Sequence, residues 1–304
     1  FLASWNQLIS ARQNHPEKPL RIAIVGGGAG GVELALNMQS RLQSEGNPPL
    51  PRGKKEEELI NSPSEIHLFH SGAELMPAHN QRVRRRLKEI LISRGIKLHL
   101  MEKVSAIEKQ ETIDIKGNKK LPVPDAPCPM LRLRSAQVPH ASTSLSTGAP
   151  CPMSNYQISC KSGLKLECEI IFWVTQASAA NWIRESGLAT DSNGFMQVNY
   201  CLQSVSHPNV FGAGDIAAMV NYPRPKAGVF AVRQGKPLFE NLQQFLLEKP
   251  LKPFAPQSQY LALIGTGNKR AIASRGNFMW ESPLLWYWKD WIDRKFMRKF
   301  IHKN

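Results

Sequence analysis

The chain has 304 residues, of which 42% are apolar and 8% aromatic, which is enough for two globular domains with hydrophobic cores. Its net charge of +15 would suit nucleic acid, but no helix-turn-helix, RNP or zinc-finger pattern accompanies that charge, so we expect no nucleic-acid partner. Five cysteines without a CxxC or CxxxxC pair leave a redox dithiol unsupported, and Cys128, His140, Cys151 and Cys160 lack the paired short spacings of a zinc site.

The first predicted elements are a short apolar strand over 21–25 and a helix over 32–38, joined by a glycine-rich turn. Gly26 allows the tight turn, Gly28 lets the backbone approach a pyrophosphate, and Gly31 lets the helix pack close to the strand. Free N–H groups at the start of the helix attract an anion. The pattern therefore predicts a dinucleotide-binding βα turn, with an ordinary glycine-rich loop as the alternative.

The second predicted strand covers 65–69 and follows an insertion over 44–64 that is longer than a compact crossover needs. His70 stands where such domains usually carry the acidic residue that holds an adenosine 2′-hydroxyl. A run of arginines follows, which would accommodate a 2′-phosphate or form a solvated helix face. The choice between NADH and NADPH therefore stays open. The arginines are Arg82, Arg84, Arg85 and Arg86.

The middle of the chain is predicted to be an extended surface hairpin. Residues 102–115 and 156–169 have the pattern of meander strands. Between them, residues 119–154 are rich in Pro, Ser and Thr, and the sequence Ala-Pro-Cys-Pro-Met occurs twice there. This composition predicts a solvated insertion without strand or helix, with a partner-binding loop as the alternative.

An apolar strand is predicted over 170–174, and a second turn of small residues follows at 211–215, directly after a short predicted strand of its own. Asp215 ends this turn with a carboxylate that is able to accept a sugar hydroxyl, and Gly214 precedes it. The segment over 226–235 then predicts a helix whose small first residues, Ala227 and Gly228, permit close approach of a ligand. The alternative is a core helix after an ordinary turn.

The C-terminal part predicts a hairpin over 260–274, whose turn lacks the Walker pattern, and an amphipathic helix over 284–304. The aromatic and basic faces of this helix fit a membrane interface, and packing on its own or a fused domain is the alternative. No secretory signal or membrane-spanning stretch is evident, so we expect a cytoplasmic protein, peripheral to the inner face of a membrane if the helix binds lipid. The apolar stripe comprises Leu285, Trp288, Ile292, Phe296 and Phe300.

Together, the two turns resemble the pyridine nucleotide-disulfide oxidoreductase superfamily, in its type II NADH dehydrogenase branch. More closely, the segments 226–238, 261–275 and 281–300 resemble the flavoprotein module fused ahead of selenide, water dikinase. This resemblance implies an α/β fold with two dinucleotide-binding domains, a β-meander, and bound FAD and NAD(P)H. It assigns Gly26, Gly28 and Gly31 to the NAD(P)H pyrophosphate, Glu33 to the nicotinamide amide, Gly214 and Asp215 to the flavin ribitol, and Ala227 and Gly228 to the helix start under the flavin.

The resemblance also implies how the chain divides into parts. The only GxGxxG motif in the sequence is of the nicotinamide type, so the first flavin segment is expected to be missing. Gln176 replaces a family glycine at the crossing back to the flavin domain, which would cost on the order of 1 kcal/mol or more if that position needs positive φ or close approach of the cofactor. We expect four parts: 1–18 as the end of a preceding flavin segment, 19–176 as the NAD(P)H domain, 177–245 as the returning flavin segment, and 246–304 as a small α+β region.

The function that these expectations imply is hydride transfer from NAD(P)H to FAD, followed by electron transfer to an unknown acceptor, either quinone-like or selenium-related. No side chain is predicted to act as an acid or base, because orientation and the cofactors themselves carry such chemistry. The alternative is a non-catalytic module that senses nucleotides or recruits a partner for a selenide, water dikinase. The departures at His70 and Gln176 favour this alternative.

Overall fold

The structure, a computed structural model, describes residues 20–45, 64–109, 131–132 and 155–300. It divides into two compact units. One contains the described residues up to Thr175 together with those from Leu261 onward, and the other comprises Gln176–Tyr260. The elements of the first unit up to Thr175 are β1 (Arg21–Val25), α1 (Ala29–Glu45), β2 (Glu65–His70), α2 (Gln81–Ser93), β3 (Lys97–Leu100), β4 (Val104–Lys109), β5 (Leu131–Arg132), β6 (Tyr156–Cys160), β7 (Lys165–Cys168) and β8 (Ile170–Trp173).

The first unit is built on a five-stranded parallel sheet with the strand order β3-β2-β1-β8-β5. The central strand β1 is buried after its first residue and pairs with both β2 and β8. Helices α1 and α2 connect successive parallel strands, and their apolar faces form one core with β1 and β2. This arrangement confirms the predicted Rossmann-like α/β fold.

The antiparallel meander β4-β6-β7 forms a second core in the same unit. Side chains of alternate residues, Ala23 and Val25 of β1 and Phe69 of β2, pack with Tyr156 and Ile158 of β6. A strand sends successive side chains to opposite faces, so the two cores use the two faces of the parallel sheet. The predicted meander is therefore present, and its second segment contains two strands joined by a turn.

Two details differ from the expectations for the insertions. Helix α1 continues to Glu45, which is past the expected start of the first insertion, and residues 46–63 lie outside the described residues. Within the second insertion, Leu131–Arg132 forms an edge strand parallel to β8, although the sequence indicated no strand there. A strand of two residues is too short to show an alternating sequence pattern. It is recognisable only from its pairing with the edge of the parallel sheet. The rest of that insertion lies outside the described residues.

The second unit has a small apolar core around a two-stranded parallel sheet. The predicted helix near 226–235 is present, but it begins at Gly228 and continues to Leu246 despite an internal proline. Asn241, which is fully buried in this helix, donates to Cys201 O and Lys252 O and accepts from Lys252 N. The elements are α3 (Asn181–Glu185), β9 (Met196–Val198), β10 (Ala217–Met219) and α4 (Gly228–Leu246).

The C-terminal strands β11 (Ala262–Gly267), β12 (Arg270–Arg275) and β13 (Phe278–Ser282) form an antiparallel sheet in the first unit. The predicted hairpin is β11–β12, and β13 is a strand that the sequence analysis did not indicate. Ile264 and Ile272 join the core of α1 and α2, so the sheet covers these helices. This C-terminal region is thus part of the core of the first unit.

Helix α5 (Pro283–Met297) packs against this sheet through a narrow contact. Leu285 is 2% exposed, whereas the other members of the predicted stripe are not buried. The helix therefore matches neither expectation in full, because it docks on its own unit and still presents a wide apolar surface. Within the described ranges, no helix is both long enough and apolar enough to span a bilayer. The exposed apolar residues are Leu284, Tyr287, Trp288, Trp291, Ile292, Phe296, Met297 and Phe300.

Candidate functional site

The glycine turn between β1 and α1 is fixed by backbone packing. Gly26 has φ +132°, and a Cβ atom there would overlap the carbonyl oxygen of Val174, which follows β8. A Cβ atom at Gly31 would overlap the carbonyl oxygen of Gly26 itself. Both positions therefore require glycine for the chain to turn and for the helix to approach the strand. This is the backbone geometry that the sequence predicted for these two residues.

Gly28 differs from Gly26 and Gly31 because it is exposed and a Cβ atom there would meet no atom of the described residues within 4 Å. It precedes the first residue of α1, whose first turn contains no acidic side chain. The free N–H groups of this helix start therefore border open space with a positive dipole end. This arrangement favours an anion over a cation at Gly28.

His70 ends β2 beside this turn, as the sequence indicated. A Cβ atom at Gly27 would lie 2.6 Å from His70 Cγ, and one at Gly72 would lie 2.9 Å from His70 Nε2. Burial lowers the pKa of the His70 imidazole, which favours its neutral form near pH 7. The requirement for glycine at positions 27 and 72 was not recognised from the sequence, because it depends on which side chain ends β2.

The arginines of α2 do not form one uniform cluster. Arg84 pairs with Glu74. Arg86 donates to Glu281 of β13 at 2.7 Å, and this bond raises the guanidinium pKa. Arg82 and Arg85 are exposed. One arginine thus anchors the C-terminal sheet, and only part of the run remains a solvated face.

Glu33 of α1 lies under the C-terminal sheet. Its Oε1 atom accepts a hydrogen bond of 2.6 Å from Gly265 N, and Lys289 Nζ of α5 is 3.8 Å away. Burial raises the pKa of the carboxyl, and the Lys289 charge and the Gly265 N–H oppose that shift. The assignment of Glu33 to the nicotinamide amide stays a prediction. The structure adds a structural role that the sequence did not indicate, since residues 33 and 265 are so far apart.

The second turn, in the other unit, is held by side-chain hydrogen bonds. Gly214 has φ +74° and donates through its backbone N–H to Gln234 Oε1 of α4 at 2.6 Å. Gly214–Ile216 form a single 3-10 turn that contains Asp215 and leads directly into β10. The predicted strand before the turn is reduced to an isolated bridge between Gln203 and Phe211. Gln234 was not singled out from the sequence, because its role depends on the packing of α4 against the turn.

A pocket of the second unit brings three predicted residues together. Gly214, Asp215 and Ala227 line it, together with Tyr222, residues 224–226 and the first turns of α4. Ala227 caps α4 through its backbone only, and a Cβ atom at Gly228 would meet nothing within 4 Å. The start of the helix is therefore open to a ligand, as the small residues predicted.

Gln176 does not carry the backbone strain that the comparison with a family glycine implied. It is exposed, and its φ angle lies outside the positive region. The backbone conformation at this position therefore does not require glycine. The other expected reason for a glycine, close approach of the cofactor, stays a prediction.

The described cysteines are buried and unreactive. Burial raises the pKa of Cys160 to about 11 and that of Cys168 to about 12, and it also raises the pKa of Cys201. Such thiols form little of the nucleophilic thiolate near pH 7. Cys128 and Cys151 lie outside the described residues. In the parts of the chain that the structure describes, no group of three or more His, Cys, Asp or Glu is placed to hold a metal ion.

Among curated proteins, the chain is similar to ferroptosis suppressor protein 1 from several vertebrates. It is 26% identical to the Taeniopygia guttata protein over 85% of this chain and 57% of that protein. It is 27% identical to the Mus musculus and Homo sapiens proteins, in each case over 77% of this chain and 48% of the relative. The chain thus spans about half the length of the curated relatives it matches.

Among solved structures, a water-forming NADH oxidase from Lactobacillus brevis, bound to NADH, has a similar fold. The TM-score is 0.52 at 18% identity, over 88% of this chain and 45% of the oxidase. In addition, residues 8–124 match the sequence model of the family described as pyridine nucleotide-disulphide oxidoreductase. That match covers the glycine turn with α1, β2 and α2. Residues 8–124 are therefore similar in sequence to the pyridine nucleotide-disulphide oxidoreductases, and the chain has a fold similar to that of about half of this NADH oxidase.

Proposed function

We propose that the chain forms the nicotinamide-nucleotide domain and the returning flavin segment of a FAD-dependent NAD(P)H oxidoreductase. The observation that carries this proposal is the glycine turn, in which Gly26 and Gly31 are required by the backbone while Gly28 is left open beside a helix start. The family match over residues 8–124 and the likeness to an NADH-bound oxidase support the same conclusion.

On the nicotinamide side, the pyrophosphate of NAD(P)H would lie against Gly28 and the first turn of α1. Its negative charge is favoured by the N–H groups and dipole of that helix end. Neutral His70 neither attracts nor repels a 2′-phosphate strongly. The charges of Glu74 and Arg84 compensate each other in an ion pair, so neither side chain strongly favours one nucleotide. We therefore expect the site to accept both NADH and NADPH.

On the flavin side, Asp215 would accept hydrogen bonds from the ribitol, and the open start of α4 at Ala227 and Gly228 would face the pyrimidine edge. The pocket fits this group because its turn and helix start leave space that side chains would fill. When both cofactors are bound, the nicotinamide supplies a hydride and the flavin accepts it. The protein contributes binding and orientation.

Visible spectroscopy of the purified protein, together with nucleotide titration of the 304-residue chain, tests this proposal. We expect NADH or NADPH to quench the intrinsic fluorescence of the chain in a saturable manner, and to bleach bound flavin in the flavin-containing protein. A chain that binds neither nucleotide, or a colourless protein that does not take up added FAD, would contradict the oxidoreductase. That outcome would leave the non-catalytic partner module of a selenide, water dikinase.

The exposed apolar face of α5 favours a peripheral membrane contact and hence a quinone-like acceptor over a selenium species. Trp291 is 56% exposed, and Lys295 Nζ lies 4.7 Å from the centroid of its ring. Aromatic side chains with adjacent cations are typical of an interfacial helix. Flotation with anionic-lipid vesicles should recover the wild type and lose the Trp291→Glu variant. Trp182→Glu, equally exposed in the other unit, serves as the control. Equal flotation of wild type and Trp291→Glu would contradict the membrane contact.

A further inference from the structure

The pocket at the second turn contains two cationic side chains that the sequence analysis did not single out. Lys226 precedes the cap of α4, and Arg224 lies two residues earlier, and both line the pocket. Each is partly buried. They therefore place positive charge beside the turn that carries Asp215.

The direct hydrogen-bond partners of these two cations are neutral. Lys226 Nζ donates to Ala217 O at 2.5 Å and lies 4.0 Å from the centroid of the Phe195 ring. Within the described ranges, the acceptors of Arg224 are all backbone carbonyls, among them Gln257 O at 3.2 Å and Pro223 O at 2.9 Å. Among the described residues, no carboxylate lies within 4 Å of either cation.

The carboxylates that face Lys226 act on it from a greater distance. Burial lowers the pKa of the Lys226 ammonium, and the charges of Asp191 and Asp215 only partly oppose that shift. A partly buried cation without a close counter-ion is unfavourable by itself, and a nearby anion relieves that cost. The dipole at the start of α4 adds positive potential of the same sign. The pocket is thus suited to a ligand group that carries negative charge.

We propose that Lys226, assisted by Arg224, compensates the negative charge that the flavin pyrimidine ring acquires on reduction, and so helps to set the reduction potential. This inference rests on the proposed function. Hydride transfer breaks the nicotinamide C4–H bond and forms the flavin N5–H bond, so the two electrons and one proton of the hydride move together. The nicotinamide gains one positive charge, and the reduced flavin keeps one negative charge unless a second proton arrives.

A purely structural role for Lys226 makes a different prediction. Its bond to Ala217 O joins the segment before α4 to the residue after the 3-10 turn, and this bond by itself would brace the turn. The variant Lys226→Gln keeps a hydrogen-bond donor but removes the charge, whereas Lys226→Arg keeps the charge. Lys236→Gln removes an exposed lysine that pairs with Glu240 on the same helix, and so controls for net charge.

The test is the midpoint potential of the bound flavin, measured with reference dyes at low salt. In Lys226→Gln the affinity for reduced flavin relative to oxidised flavin should fall about tenfold, which corresponds to a potential about 30 mV lower for a two-electron couple. Lys226→Arg and Lys236→Gln should stay close to the wild type. An unchanged potential in Lys226→Gln would overturn the inference and support the bracing role.

The wild type alone provides a second test, which does not depend on the folding of a variant. If the reduced flavin is held as an anion, one proton accompanies two electrons, and the potential should fall by about 30 mV per pH unit near neutrality. A fall of about 60 mV per pH unit would mean that neutral reduced flavin is bound, and would overturn the inference. Either result leaves the proposed function standing, because that function fails only if the protein binds no flavin or NAD(P)H does not bleach it.

Discussion

The two glycine turns of the chain are maintained in different ways. At the turn of the first unit, added Cβ atoms on Gly26 and Gly31 would meet backbone carbonyl oxygens, which cannot move without moving a strand. At Gly214 in the second unit, φ is +74° and favours glycine, but a Cβ atom would make only an ordinary contact with Ala231, and the turn is held by Gln234. The turn of the first unit is therefore fixed by close packing of the main chain, and that of the second unit by its backbone conformation and a polar side chain.

The largest effect that tests this comparison is expected at Gly31. The variant Gly31→Ala should reduce the free energy of unfolding of the first unit by at least about 3 kcal/mol, because the helix must move away from the turn to accommodate a methyl group. Gly235→Ala, in the interior of α4 with no atom within 4 Å of the new methyl group, should stabilise the second unit by about 0.5–1 kcal/mol. Urea denaturation followed by circular dichroism measures the free energy of unfolding of both variants. Equal changes in Gly31→Ala and Gly235→Ala would show that close backbone packing at Gly31 does not determine stability.

The next effect concerns the polar network of the second unit. Asn241→Ala removes three hydrogen bonds and leaves the buried carbonyl of Cys201 without that donor, so we expect a loss of about 2–3 kcal/mol. Asn193→Ala, in an exposed turn of the same unit, should change stability by less than about 0.5 kcal/mol. Thermal melting monitored by tryptophan fluorescence compares them. A loss below about 1 kcal/mol at Asn241 would show that side-chain polar bonds do not hold this unit.

At Gly28, a substitution is expected to weaken ligand binding without lowering the stability of the fold. The variant Gly28→Asp fits the open space and caps α1, so stability should stay the same or rise by a few tenths of a kcal/mol. Its carboxylate would repel a pyrophosphate, and affinity for NADH and NADPH should fall at least about tenfold, or about 1.4 kcal/mol. Fluorescence titration measures the affinity, and the neutral cap Gly28→Ser controls for size. Unchanged affinity in the Asp variant would place the nucleotide elsewhere.

The smallest effect is expected at Glu33 and depends on pH. Because the folded-state pKa of this carboxyl is raised, the folded chain binds its proton more tightly, and stability falls as pH rises from the unfolded to the folded pKa. Glu33→Gln can still accept the Gly265 N–H without a buried charge, so it should be more stable than the wild type by up to about 1 kcal/mol at pH 8 and closer to it at pH 4. Melting temperatures across this range measure the difference. If Glu33→Gln were less stable than the wild type at pH 8, the ion pair of Glu33 with Lys289 would contribute more to stability than burial of the charge costs.

Local patterns predicted the parts of the fold that depend on neighbours in sequence. The strand over 21–25, the glycine turn and the following helix were evident because a branched apolar run, several glycines and a helical segment follow each other, although the helix extends beyond the predicted 32–38 at both ends. The start of α4 was also found within two residues, from the small residues that precede its first apolar turn. In both cases the signal and the structure occupy the same short segment.

The features that sequence analysis missed depend on distant segments. Strand β13 carries few alternating residues and is recognisable mainly through its pairing with β12. The bond from Gly265 N to Glu33, and that from Arg86 to Glu281, join residues that no local pattern relates. The resemblance to known flavoproteins directed attention to the ligand role of Glu33, whereas the structure adds its contact with the C-terminal sheet.

The packing of β11 and β12 on α1 has a consequence for the order in which the chain folds. Glu33 and Gly265 are 232 residues apart, and Ile264 and Ile272 complete the core that α1 and α2 begin. At about 5–20 residues per second, the ribosome needs roughly 10–50 s to make the intervening chain, so the outer face of α1 stays uncovered during that interval. The second unit emerges complete before this happens. During synthesis, the first unit is therefore open to aggregation and to chaperone binding for longer than the second unit.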